Sequence, residues 1–151
     1  MGLGLALKWY QRDWYLAQGI THVRWTYDPL RVANAALNIH RLGGQAQTYF
    51  PDYYGPMAGI NKGVASDRLL VDWHLDTPRV AACAAGKQPL LACAALRLPV
   101  PADFGHMIEV DLPAAGAARL LLRTTMQAAF AGGLMVQDFD PAGPEYLLMQ
   151  S

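Results

Sequence analysis

Gly2-Leu3-Gly4 stands at the head of an amphipathic run that extends to about Gln18. A glycine pair at a helix start offers backbone N–H groups not engaged within the helix and the positive end of its dipole. It also lacks the Cβ atoms that would hold a phosphate away. The chemistry this pattern serves is anion binding by the backbone of Gly2, Leu3, Gly4 and Leu5. Asn34 and Asn38, four residues apart, form a second set on one helix face, with solvent-facing polar residues as the alternative. Tyr53 and Tyr54 are paired phenols that can donate a proton in a polar cleft, with solvent-side packing as the alternative. His40 and His74 are candidate bases by residue type alone and are expected at the surface. Arg119 and Arg123, also four apart, suit a phosphate or carboxylate held between them, although a solvated helix face is the expectation. Cys83 and Cys93 lie in an alanine-rich stretch without the partners of a zinc site or disulfide framework, and both read as small buried hydrophobes.

The elements that must position these groups follow from periodicity. Leu7, Tyr10, Trp14 and Ala17 fall at helical spacing and form the expected buried stripe of a first helix, which Gly19 stops. Val23, Trp25 and Tyr27 alternate with polar residues over Thr21 to Tyr27, predicting a strand. Asp28-Pro29 then reads as a helix cap and first turn for a helix from about Leu30 to Leu42, closed by Gly43-Gly44. Gln45 to Phe50 and Asp67 to Leu75 read as strands around a glycine-dotted loop from Pro51 to Ser66. A short helix from about Asp76-Thr77-Pro78 to Ala85 follows. Further on come a weak strand signal over Leu90 to Leu98, a short strand over Met107 to Val110 and a helix from Pro113 to about Ala131. Leu134 to Phe139 and Tyr146 to Met149 flank a turn-rich spacer, the pattern of a hairpin. The class is α/β, divided as residues 1–76 and a smaller α/β extension over 77–151.

Twelve Lys and Arg balance twelve Asp and Glu, so no overall field favours nucleic acid or an anionic membrane. Apolar residues make up 53% of the chain but never run uninterrupted for the ~18 needed to span a bilayer. With no signal-peptide pattern at the start, a cytoplasmic protein without metal is the expectation.

In the order helix, strand, helix, strand, strand, the first half resembles the C-terminal half of the GNAT superfamily of acyl-CoA-dependent N-acetyltransferases. Gly2-Leu3-Gly4 matches the final three positions of that family's Arg/Gln-x-x-Gly-x-Gly/Ala pyrophosphate loop. Trp25-Thr26-Tyr27-Asp28-Pro29-Leu30, Asn34-Ala35, Asn38-Ile39 and Leu42-Gly43 resemble a branch of uncharacterised predicted acetyltransferases. The resemblance covers about residues 2–75. It implies a mixed sheet with flanking helices and acetyl-CoA as co-substrate. Gly2, Leu3, Gly4 and Leu5 would meet its pyrophosphate, and Asn34 and Asn38 would turn toward the pantetheine or phosphates. The acceptor implied is an amine that the sequence does not identify.

The family's tyrosine acid, four residues before the helix-ending glycine, is Ile39 here, and the asparagine that opens the helix motif would fall near Val32. Tyr53 or Tyr54 are the substitutes. The family's first strands and its base would precede Met1, so the chain is expected to be truncated. It would then be inactive alone, or a non-catalytic interaction domain, with a homo-oligomer or partner chain covering the exposed sheet edge.

Overall fold

The computed structural model describes residues 2–55, 63–88 and 93–151. Helix α1 (Leu3–Ala17) ends where Gly19 takes φ of 78°, a left-handed conformation suited to glycine. Strand β1 (His22–Tyr27) follows. The Asp28 carboxylate accepts the Leu30 N–H at 3.0 Å, which delays the next helix. That helix therefore starts as α2 at Val32–Ala35, with Arg31 rather than Asp28 at its cap position, and continues as a π-helical turn over Ala36–Arg41. Gly43 (φ 78°) and Gly44 close it. A Cβ on Gly44 would lie 2.5 Å from the Asn38 carbonyl oxygen, so only glycine fits this approach.

Strands β2 (Gln45–Phe50) and β3 (Arg68–His74) come next. Helix α3 (Pro78–Ala84) is capped by Thr77, whose side chain accepts the Val80 N–H. After β4 (Leu96–Pro99), helix α4 (Phe104–Val110) replaces the strand expected over Met107 to Val110. The Asp103 carboxylate accepts the His106 N–H at 3.0 Å and starts a helix that a short apolar run could not distinguish from a strand. Residues 89–92, part of the weak Leu90 to Leu98 signal, lie outside the described residues, as do 56–62 of the Pro51 to Ser66 loop. Helix α5 (Leu112–Ala131) and the hairpin of β5 (Leu134–Asp140) and β6 (Glu145–Gln150) complete the chain.

Among the described residues six strands form one sheet in the order β1-β3-β2-β5-β6-β4. All its pairings are antiparallel, not mixed as expected. The reason is β3, which inserts between β1 and β2. The helical crossover leaves β1 and β2 running the same way, and β3 separates them by running the other. A single residue pair, Ala46 with Val136, joins β2 to β5. The main core lies between the sheet and α5, around Leu69, Val71, Phe104, Met126, Phe139 and Leu148. A smaller cluster of Trp73, Leu42, Leu75 and Val80 receives Leu5, Trp9, Tyr15 and Leu16 from α1.

This second cluster reverses the expected orientation of α1. Leu7, Tyr10 and Trp14 are all more than half exposed, and the inner face is one built on Leu5, Trp9 and Leu16. Lys8 and Arg12 turn inward as well, Lys8 Nζ lying 4.2 Å from the Trp25 ring centre and Arg12 Nε donating to the Leu75 carbonyl at 2.9 Å. The apolar count on both faces is high enough that spacing alone could not choose between them. Among the described helices, none is long and apolar enough to cross a membrane.

Candidate functional site

The α1 N-terminus is open. Gly2 caps it in an extended conformation without a side-chain hydrogen bond, and its carbonyl accepts the Ala6 N–H at 3.0 Å as the first helical bond. The N–H groups of Leu3, Gly4 and Leu5 therefore have no acceptor within the helix. No acidic residue occupies the first turn, and nothing lies within 4 Å of a Cβ placed on Gly2 or Gly4. Leu3 and Gly4 are exposed, while Leu5 is half-buried against the Trp73 cluster. From here α1 leads into β1, which among the described residues forms one end of the sheet and pairs only with β3.

The other predicted site residues are distributed differently. Asn34 is exposed on α2, whereas Asn38 is buried in the π-helical turn, where the backbone widening rotates it inward and its carbonyl accepts the Gly44 N–H at 3.0 Å. Tyr53 and Tyr54 are about half exposed and meet edge to face with ring centres 5.2 Å apart. The Arg68 guanidinium covers Tyr54 at 4.9 Å. Ser66 holds the backbone there, its hydroxyl accepting the Tyr54 N–H and its carbonyl the Tyr53 N–H.

The histidines are not free surface groups. The His40 ring is mostly buried, with Nδ1 3.0 Å from an oxygen of the buried Asp138 carboxylate, which also accepts from Arg79 at 3.0 Å. His74 stacks on its cross-strand neighbour His22 at 4.3 Å, and His22 Nε2 lies 2.8 Å from Asp72. Among the described residues no group of three or more His, Cys, Asp or Glu could hold a metal ion.

Arg119 and Arg123 overturn the expected solvated face. Arg119 is fully buried and binds both oxygens of Asp28, at 2.6 and 2.8 Å, with its guanidinium 4.7 Å from the Phe104 ring centre. Arg123 binds both oxygens of buried Asp67, at 3.0 and 2.8 Å. Each arginine takes its own carboxylate, so the two do not form a shared anion grip. Burial alone would raise the Asp67 pKa, but the hydrogen bonds from Arg123, the Asp52 N–H and Tyr49 hold it below its usual value. Burial also pushes the hydroxyl of Tyr49, which donates to Asp67 at 2.6 Å, well above its ordinary pKa. Beside this network Tyr27 and Tyr146 share a hydroxyl hydrogen bond at 2.8 Å, and Tyr146 also bonds the Pro29 carbonyl.

Cys83 is buried, as expected, but Cys93 is exposed, and both are free. The alanines around Cys93 lead into edge strand β4 rather than into the core. Sequence reasoning missed the four buried aspartates, Asp28, Asp67, Asp72 and Asp138. The available signal was a carboxylate inside an apolar strand run, as in Leu70-Val71-Asp72-Trp73, which demands a cationic partner. No family model, curated protein or solved structure matches the chain.

Proposed function

We propose that the chain is a GNAT-like acyl-CoA-binding module serving acetyl transfer to an amine. The observation that carries this reading is the uncapped glycine N-terminus of α1, with open space around Gly2 and Gly4, leading directly into edge strand β1. Bound acetyl-CoA would supply an activated thioester. In this reading the N–H groups of Leu3, Gly4 and Leu5 hold its pyrophosphate, with the helix dipole adding to the attraction. Exposed Asn34 is the side chain of its helix free to meet the phosphates, while buried Asn38 acts through the shape of the π-helical turn. Tyr53 and Tyr54 are the candidates for returning a proton to the departing thiolate. The base and the acceptor pocket would come from a further segment or partner chain along the open edge of β1.

Calorimetric titration of the chain with acetyl-CoA tests this. Gly4→Asp places a carboxylate in the cradle, where a Cβ meets nothing within 4 Å, and is expected to leave the fold intact, as checked by circular dichroism. Saturable binding to the wild-type chain that is lost in Gly4→Asp is expected, and a folded wild-type chain without binding would overturn the reading. The outer edge of β1, unpaired among the described residues, favours as the second reading a non-catalytic domain that associates by strand addition.

A further inference from the structure

The outer face of α1 carries Leu3, Leu7, Tyr10 and Trp14 at successive spacings of four, three and four residues, exposed by 87%, 54%, 69% and 53%. That spacing is the seam of a two-stranded helical pair. None of the four is charged, and the cationic residues nearest them, Lys8 and Arg12, turn toward the sheet. Leu7, Tyr10, Gln11, Trp14 and Tyr15 line a groove of about 400 Å³ along the same face, a hole into which a side chain of a second helix fits.

We propose that this face pairs with the same face of a second copy, the two α1 helices running antiparallel about a two-fold axis between Lys8 and Trp9. The symmetry of the sequence selects this arrangement. Such an axis sets Leu3 opposite the partner's Trp14 and Leu7 opposite the partner's Tyr10. Every contact then joins an aliphatic to an aromatic side chain. A parallel pair would oppose tryptophan to tryptophan and leucine to leucine, mismatching volumes, and would align the two helix dipoles. The flanking positions agree, because Asp13 falls opposite the partner's Gly4 and Gln11 opposite the partner's Ala6, so like charges do not meet.

The area is also sufficient. Aromatic side chains carry about 150–250 Å² each, so with their exposed fractions the four residues leave roughly 500 Å² open per chain. A symmetric pair covers about 1,000 Å², the lower limit of a specific interface. The pairing reaches the first turn of α1 through Leu3 but is argued from the side chains of this face and not from acyl-CoA binding.

Sedimentation equilibrium of the full chain, without ligand, tests the proposal. Wild type is expected to be a dimer. Leu7→Glu and Tyr10→Arg, each at an exposed position, are expected to weaken association at least tenfold while the circular dichroism spectrum stays unchanged. An equimolar mixture of the two variants should recover dimer, because the antiparallel seam sets the new glutamate against the new arginine. Trp14→Gln provides a neutral check and should weaken the dimer through loss of the end contacts. A wild-type chain that is monomeric at about 100 µM overturns the proposal, since specific association is much tighter. Dimerisation insensitive to Leu7→Glu and Trp14→Gln overturns it by placing the interface elsewhere. Failure of the mixture to recover dimer overturns the antiparallel register.

Discussion

Helices α1 and α5 both turn their cations inward and leave leucines in solvent, yet the two interiors they face differ. In α5 the buried arginines meet carboxylates. Arg119 takes both oxygens of Asp28 and Arg123 both oxygens of Asp67, while Leu120 and Leu121 are exposed. In α1 the cations meet neutral groups, Lys8 the indole of Trp25 and Arg12 the Leu75 carbonyl. A charge pair removed from water is costly to break, whereas a cation resting on a ring or carbonyl at the half-buried rim is not. The α5 side is therefore a structural lock, and the α1 side is a surface that can be altered without unfolding the chain.

The contrast is broken most directly at Arg119. Arg119→Ala strands the Asp28 carboxylate in the core and is expected to lower stability by about 3–5 kcal/mol, measured by urea denaturation. The double variant Asp28→Leu/Arg119→Met, which removes both charges, should cost less than Arg119→Ala alone. Tyr146→Phe comes next, at about 1–3 kcal/mol, because it takes a buried hydroxyl from both Tyr27 and the Pro29 carbonyl.

Acid sharpens the comparison. The folded-state pKa of Asp67 lies below its unfolded value, so its contribution is fully present above about pH 4 and is lost as pH falls through the folded pKa. Wild type should lose stability over that acid range more steeply than Asp67→Asn, whose initial stability is lower. At the other extreme, Trp14→Gln on α1 is expected to change the stability of the dissociated chain, measured at high dilution, by no more than about 0.5 kcal/mol. Thiol labelling distinguishes burial in the same way. Exposed Cys93 should react readily in the native state, while Cys83, buried and with its pKa raised by desolvation, should react only on unfolding.

Much of the element order was legible because β-type alternation and helix breakers are local. Leu69, Val71, Trp73 and Leu75 are all buried, as their alternation predicts, and the glycines at 19 and 43 end their helices as expected. Orientation was not local. Whether α1 buries Leu7, Tyr10 and Trp14 or Leu5, Trp9 and Leu16 depends on Trp73, more than fifty residues away. Whether α5 turns its arginines inward depends on Asp28 and Asp67, which carry no periodic signal. Of the candidate site, the helix start at Gly2 and Leu3 was readable from its spacing. The separation of Asn34 from Asn38 was not, because four-residue spacing assumes an α-helix and the segment widens to a π-helical turn at Ala36.

The join between β2 and β5 has a consequence for the folding pathway. Only Ala46 and Val136 pair across it in the backbone, and side chains supply the other links. Asp28 and Arg119 are 91 residues apart, His40 and Asp138 are 98, and Tyr27 and Tyr146 are 119. Loops this long close late relative to the β5–β6 hairpin, so these links should be largely unformed in the rate-limiting step. Removing one is then expected to accelerate unfolding and leave refolding nearly unchanged, making these distant side-chain pairs determinants of how long the native state persists.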